Sequence, residues 1–337
     1  MPKVSILMPV YNAGLYLARA IDSICSQSFE DWELILVNDG STDDSEAIIS
    51  RYGDNRICYV KNPVNLGLIK TLNKGVGLCG GKYIARMDAD DVAFPERLKM
   101  QVAFLDAHPD YLMCGTNACV INSAGNRTGK IRNLTDNDFL RISLLFSPSF
   151  VHPTVMIRRE VLQENKYDEA YRHVEDYELW RRIAKQGKIA NLEAELLAYR
   201  RHDSNVSVLN NRVQDELKDK IITDELKALD IIPVAEELYC HKITFGLYSM
   251  GNKQEVSVSR FNAISAWFSK LVRQNKKKGI YNRNDFRAFL WARWIVLCLS
   301  QKKYGKMIPS FASCNPFVLV KFFKLILFYG GILKKVC

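Results

Sequence analysis

Apolar residues fall along the first hundred positions in two alternating rhythms. Val4–Val10 is a short apolar run through Pro9, the pattern of a strand buried on both faces. Leu17, Ala18, Ile21, Ile24 and Cys25 then recur at helical spacing. Glu33–Asn38 (ELILVN) predicts a second buried strand. Asp39-Gly-Ser-Thr-Asp43 follows as a turn with helix-capping residues, and an amphipathic run continues to Tyr52. Arg56–Lys61 reads as a third strand, and Leu66–Leu78 as a helix ended by Gly80-Gly81. Tyr83–Met87 is a fourth strand running into Asp88-Ala-Asp-Asp91, and Pro95 opens a helix to about Ala107.

This repetition predicts an α/β fold with a mostly parallel sheet and helices on both faces. Ligands of such sheets bind at the carboxyl ends of the strands. Tyr11-Asn12, Asp39 and Asp88–Asp91 all fall there, so polar residues distant in sequence meet at one edge. Residues 111–205 are mixed. Strand-like pieces (Tyr111–Gly115, Val151–Ile157, Leu196–Arg200) alternate with short helices such as Asp176–Gln186. From about Val206 onward the pattern is helical.

Composition narrows the class. The 337 residues are 48% hydrophobic and 25% charged, which excludes disorder, collagen and a disulfide miniprotein. The nine cysteines form no CxxC pair, so neither a disulfide framework nor a zinc knuckle is indicated. Cys25, Cys58 and Cys79, set among apolar residues, are expected as buried thiols. Met1–Val10 is too short an apolar run for a signal peptide, so a reduced, cytoplasmic setting is expected. Residues 1–237 carry 29 Lys and Arg against 35 Asp and Glu. Residues 238–337 carry 18 against 2, so the whole excess of +10 lies in the last hundred residues.

The sequence offers several candidate centres of chemistry. Asp88, Asp90 and Asp91 would repel one another at a strand end, and hard oxygen-ligated cations, Mg²⁺ or Mn²⁺, hold such clusters together. A solvated loop with Asp91 as a helix cap is the simpler reading. Asp39, at a strand tip, either accepts hydrogen bonds from a base or sugar or shapes the turn before Gly40. No G-x-G-x-x-G and no G-x-x-x-x-G-K-[ST] is present, which argues against a dinucleotide-binding dehydrogenase and a P-loop NTPase. Glu175 and Asp176 precede an amphipathic helix, as N-cap groups or as a general base. Arg200-Arg201-His202 places cations and an imidazole at a strand end, where they could meet a diphosphate or metal.

Together these stretches resemble the family-2 glycosyltransferases of the GT-A fold. The resemblance covers roughly residues 3–205. It rests on Val4–Asn12 (VSILMPVYN), Trp32–Ser45 (WELILVNDGSTDDS), Asn65-Leu-Gly67, Gly81–Pro95 (GKYIARMDADDVAFP), His152–Arg159 (HPTVMIRR) and His173–Trp180 (HVEDYELW). It implies that Pro9 and Tyr11 flank the nucleobase and that Asp39 binds uracil or its ribose. It further implies that Asp88 touches the ribose and diphosphate, and that Asp90 ligates the metal. Asp176 would be the catalytic base with Glu175 beside it, and His202 would assist the metal or diphosphate. The implied reaction is inverting, metal-dependent transfer from a nucleotide-diphospho-sugar, a UDP-sugar first of all, to an acceptor hydroxyl. A nucleotide-sugar pyrophosphorylase and a catalytically inactive membrane-bound scaffold are the alternatives.

The expected organisation is a catalytic domain over 1–205 and a basic helical region over 206–337. Within the catalytic domain, about 1–110 forms the nucleotide-sugar half and 111–205 the acceptor half. The tail interleaves Lys276-Lys277-Lys278 and further cations with Trp267, Phe268, Phe286, Phe289, Trp291 and Trp294. In Phe317–Phe328, Lys321 and Lys324 share one face, and Val318, Leu319, Phe322, Leu325 and Ile326 the other. That pattern predicts a peripheral helix on the inner membrane surface, serving a lipid-linked saccharide acceptor of cell-surface polysaccharide synthesis. The alternatives are a helix packed on the rest of the protein and nucleic-acid binding, the latter without a recognised module.

Overall fold

A computed structural model describes residues 1–202, 211–246, 257–306, 308–309, 312 and 315–333. The passage expected near residues 205–206, together with Cys314, Lys334, Lys335 and Cys337, lies outside them. The chain divides into two compact units. One is Met1–Asn137 with Pro148–Gln214, and the other is Asp138–Ser147 with Asp215–Cys337.

The first unit is built on one sheet. Its strands are β1 (Val4–Val10), β2 (Trp32–Asn38), β3 (Ile57–Lys61), β4 (Tyr83–Arg86), β5 (Val92–Ala93), β6 (Tyr111–Ile121), β7 (Arg127–Ile131), β8 (Met156–Arg158) and β9 (Lys188–Arg200). The helices of this unit are α1 (Leu17–Cys25), α2 (Ser45–Ile49), α3 (Leu68–Leu78), α4 (Arg97–Ala107), α6 (Arg159–Asn165) and α7 (Glu175–Gln186). Between α4 and α6, α5 (Asn137–Ser143) leads into the second unit.

The strand runs are apolar at consecutive positions because both faces are covered. Ile6, Met8, Leu34 and Leu36 pack with Leu17, Ala20, Ile21 and Ile24 of α1 and Leu98, Val102 and Leu105 of α4. Leu7 and Val37 point to α3. A Cβ on Gly75 of that helix would lie only 2.2 Å from Leu7 Cδ1 and 3.2 Å from Val37 Cγ2. Glycine therefore lets α3 lie close on the sheet.

The sheet order is β3-β2-β1-β4-β8-β6-β9-β5, with β7 paired to β6. The four strands β3-β2-β1-β4 are parallel, as their rhythm requires. Beyond β4 the sheet is mixed rather than mostly parallel. β8 runs antiparallel to β4 and β6, and β5 antiparallel to β9, while β6 and β9 are parallel. Antiparallel neighbours need no crossover helix, and β6 turns directly into β7 through Gly125 at φ +88°. Cys79 is buried as expected, but Cys25 is half-buried and Cys58 is exposed. Cys58 lies on β3, which pairs with β2 at the end of the sheet order.

The second unit is helical, with α8 (Asn211–Ala228), α9 (Ala235–Gly246), α10 (Val258–Lys278), α11 (Arg283–Ser300) and α12 (Pro316–Leu333). The segment Asp138–Ser147 joins it by burying Phe139, Leu140, Ile142, Leu144, Leu145 and Phe146. His241 fixes that segment. Its Nε2 pairs with the Leu145 carbonyl at 2.9 Å, its ring stacks on Phe146 at 4.1 Å, and Trp267 Nε1 donates to its Nδ1 at 3.2 Å. Nδ1 accepts and Nε2 donates, so the imidazole is neutral. Burial pushes its pKa down to about 4, against the opposing Leu145 hydrogen bond.

Within this unit α12 lies on α11, and this corrects the expected helical face. Val318, Phe322 and Leu325, expected to meet lipid, are buried. Phe322 stacks on Trp291 at 4.2 Å, and Lys321 forms an ion pair with the buried Asp285 at 2.9 Å. No helix among the described residues is long and apolar enough to cross a membrane.

Gly40 carries the tightest backbone requirement near the strand tips. It sits at φ +71°, and an added Cβ would lie 2.7 Å from the Val64 carbonyl carbon and 2.8 Å from the Asn65 nitrogen. Gly40→Ala is expected to cost about 2 kcal/mol or more, read as a lower Tm in thermal unfolding. An unchanged Tm would show that this loop pair relaxes freely.

Candidate active site

Three loops at the carboxyl ends of β1, β2 and β4 carry the polar residues singled out in the sequence. The first two loops clamp each other. Asn12, at φ +47°, donates its backbone N–H to Ser41 Oγ at 3.0 Å and accepts from Thr42 N at 2.9 Å. Gly14 N donates to Asp43 Oδ2 at 2.8 Å. Pro9 is half-buried at the end of β1, and the Tyr11 ring is exposed beyond it.

Asp39 is buried at the tip of β2. Its Oδ1 accepts from Asn62 Nδ2 at 2.8 Å and Leu66 N at 2.9 Å, and its Oδ2 from Gly67 N at 2.9 Å. Asn62 is held in turn by Lys74 Nζ at 2.6 Å. Asp39 thus ties Asn65-Leu-Gly67 to the sheet edge, and most of its accepting capacity is already engaged.

Asp88, Asp90 and Asp91 offer carboxylate oxygens that lie within 4.8 Å of one another. Each is held differently. Asp88 is ion-paired to Arg86 Nη1. Asp90 Oδ2 lies 3.0 Å from His202 Nε2, and His202 stacks on Tyr16 at 5.6 Å. Asp91 is buried, not a solvated helix cap. Its Oδ1 accepts from Arg200 N at 2.7 Å, while its buried Oδ2 has no hydrogen-bond partner. The Arg200 guanidinium reaches backbone carbonyls beside these carboxylates. It donates to the Asp90 carbonyl at 2.7 Å and the Asn122 carbonyl at 2.9 Å, and lies 4.3 Å over the Tyr16 ring.

The electrostatics of the cluster follow from this crowding. Burial pushes the pKa of Asp90 up, and the Asp88 charge adds to it, against His202. Asp91 is pushed well up by burial and then by Asp88 and Asp90. An orphaned buried oxygen, three converging carboxylates and mutual repulsion fit a hard divalent cation. Asp88, Asp90 and Asp91 would be its ligands, with His202 beside them.

A second carboxylate pair opens α7. His173 precedes the helix at φ +72°, a strained conformation for a residue with a Cβ. The first turn carries Glu175, Asp176 and Glu178, where the helix dipole favours negative charge. Glu178 is structural, gripped by Arg182 Nε at 2.8 Å. Asp176 Oδ1 accepts from Tyr177 N at 2.7 Å. Glu175 is buried, and burial followed by the Asp176 charge pushes its pKa up to about 7.

Arg86 connects the two acidic centres, and sequence reasoning assigned it no role. It ends the buried strand β4, and its Nε has no hydrogen-bond partner. Burial opposes its charge, but the ion pair with Asp88, together with Tyr167 and Asp91, raises its pKa on balance. The same guanidinium lowers the pKa of Glu175, so it acts on both acidic centres. His152 and Tyr167 fill the space around it. His152 Nε2 pairs with the Tyr167 hydroxyl at 2.9 Å, and its ring meets Trp180 edge-on at 5.5 Å. Burial, then Arg86, holds His152 well below the usual imidazole range, so it is neutral. Tyr167 is pushed up by burial, and Asp176, Glu175 and Asp88 all act on it in that direction. Asn73 of α3 fixes Tyr167 through both its backbone N–H (2.9 Å) and its carbonyl (2.8 Å). The available signal for Arg86 was an arginine closing an otherwise apolar strand. His152 stood in a quoted motif, without a role.

The raised pKa of Glu175 carries a stability consequence. Its protonated form is favoured in the folded state, so its contribution is full below pH 4.5 and is lost as pH rises to about 7. Glu175→Gln is expected to raise stability at pH 8 by as much as about 3 kcal/mol, with little effect at pH 4.5. Urea unfolding at both pH values checks this. Equal shifts at the two would remove Glu175 as the titrating group.

Comparison with known proteins bears on this arrangement. Residues 5–165 match the family described as Glycosyl transferase family 2. An uncharacterized glycosyltransferase of Haemophilus influenzae is 35% identical over 234 residues, covering 65% of this chain and 72% of that protein. The amylovoran biosynthesis glycosyltransferase AmsE of Erwinia amylovora is 31% identical over 202 residues, covering 58% of this chain and 75% of AmsE. Among solved structures, S. aureus TarS 1–349 in complex with UDP-GlcNAc superimposes with a TM-score of 0.55 at 17% identity. The match covers 90% of this chain and 92% of that one, a likeness of fold. With its GT-A sheet, its helical extension and a relative 35% identical across 72% of that relative's length, the chain belongs to glycosyltransferase family 2 and is a glycosyltransferase.

Proposed function

We propose that this enzyme transfers a sugar from a nucleotide-diphospho-sugar, with a UDP-sugar as the favoured donor, to an acceptor hydroxyl with inversion at the anomeric carbon. The observation that carries this reading is the presence of two acidic centres, on both of which Arg86 acts electrostatically. One is the carboxylate cluster at the end of β4, and the other is Glu175-Asp176 at the start of α7. The nucleotide-sugar of the TarS complex supports the donor class.

In this reading Pro9 and Tyr11 take the base. Asp39 acts by fixing the loop at Asn65–Gly67 that borders the base site. Asp88 is directed by Arg86 toward the ribose and diphosphate. A divalent cation, Mg²⁺ or Mn²⁺, held by Asp88, Asp90 and Asp91 near His202, would offset the charge growing on the leaving diphosphate. The acceptor oxygen attacks the anomeric carbon on the face opposite the diphosphate. The C–O bond to the diphosphate breaks, its electron pair leaves with that group, and the acceptor proton passes to Asp176. The raised pKa of Glu175 keeps a proton on it up to about neutral pH, which confines the negative charge of the pair to Asp176. No covalent sugar–enzyme intermediate is formed.

The role of the Erwinia relative in amylovoran biosynthesis supports a saccharide acceptor in cell-surface polysaccharide assembly. The basic C-terminal hundred residues support an acceptor that is lipid-linked and met at the inner surface of a membrane.

Asp176→Asn is expected to lower kcat by about 10³-fold while leaving donor Kd within about threefold. UDP release from a panel of UDP-sugars measures the first, and calorimetry the second. A variant that keeps more than about half of wild-type turnover would overturn the base assignment. Chelation should abolish turnover, with Mn²⁺ or Mg²⁺ restoring it in the wild type but not in Asp90→Asn.

A further inference from the structure

Packing on α11 leaves the opposite side of α12 uncovered, and that side is apolar. Phe317 is 72% exposed, Val320 59%, Phe323 59% and Leu327 79%. Their spacing of three, three and four residues aligns them as one stripe along the helix. A stripe of four large exposed apolar side chains on one helix marks an interaction surface. Over its described residues the helix is not long and apolar enough to cross a bilayer, and Lys321 ties it to Asp285 of α11.

Charge identifies the occupant. From residue 286 to 337 the chain carries nine Lys and Arg and no Asp or Glu. Lys324 is exposed beside Phe323, and Lys302 is exposed in the turn after α11. A second copy docked stripe to stripe would bring Lys324 against Lys324 with no acidic side chain of this segment to offset it. An anionic lipid surface offers the complementary charge, and its acyl boundary offers the apolar phase.

We infer that α12 docks in plane on an anionic bilayer, inserting Phe317, Val320, Phe323 and Leu327 and setting Lys324 against lipid phosphates. This rests on the reading that the acceptor is lipid-linked, and it names the surface that brings the enzyme to it. The docking side is not the one expected from the helical wheel, which α11 covers.

Flotation of the full-length protein with phosphatidylcholine vesicles, with and without phosphatidylglycerol, tests the inference. Binding is expected to the anionic vesicles only and to weaken with salt. Val320→Glu combined with Phe323→Glu should lower the bound fraction by about tenfold or more, with thermal melting and donor hydrolysis unchanged. If that variant misfolds, Lys324→Glu serves instead, with binding to anionic vesicles reduced. The inference is overturned if wild type floats with neither vesicle, or if the folded variants float as wild type does. Sedimentation equilibrium showing a wild-type dimer that the variants dissociate would overturn it too, because the stripe would then be a self-association surface. Donor hydrolysis without flotation would sink the docking surface alone, whereas flotation without any UDP release would sink the transferase reading instead.

Discussion

Three carboxylates held within 4.8 Å of one another repel, and much of the fold around β4 serves to offset that repulsion. Arg86 sits beneath Asp88, Arg200 ties down the backbone of Asp90 and the carboxylate of Asp91, and His202 faces Asp90. A third buried guanidinium, Arg97 of α4, donates to the Arg86 carbonyl at 2.7 Å. Burial pulls its pKa down to about 10, with Arg86 adding to that and Asp91 opposing it. These groups come from β4, the start of α4 and the end of β9. The elements that meet at the sheet edge are thus tied by charge as well as by apolar packing. Burial and the neighbouring carboxylates leave Asp90 and Asp91 with raised pKa values.

The same cation layer reaches the second acidic centre. Arg86 is shared electrostatically between Asp88 and Glu175, and His152 is kept neutral beside it. A neutral imidazole there adds no competing positive charge. Tyr167 is pinned to α3 by Asn73 and hydrogen-bonded to His152.

Several of these features were open to reading in the chain and several were not. The runs Val4–Val10 and Glu33–Asn38 announced buried strands because strands covered on both faces are apolar at successive positions. Asp88–Asp91 stood out because carboxylates at alternate positions after such a run have no packing role. Asp39 was visible as a strand-tip carboxylate, but its three partners come from residues 62–67, and only folding shows that it ties down a loop. Arg86 was hidden because an arginine at a strand end reads as surface until its neighbours are known. The antiparallel half of the sheet was hidden because short strands such as Met156–Arg158 carry too little pattern to reveal direction.

By itself the sequence determined the alternation of buried strands and helices, the acidic groups at the strand ends and the separation of charge between the two ends of the chain. All of these are local properties of spacing and composition. Tertiary structure alone decided which groups act on one another. It ion-paired Arg86 with Asp88, buried Asp91 against the Arg200 backbone, and drew residues 138–147 onto His241. It also chose which apolar side of α12 is covered. A helix apolar on most of its circumference does not specify its packed face; its neighbour does, here through Trp291 and Asp285 of α11.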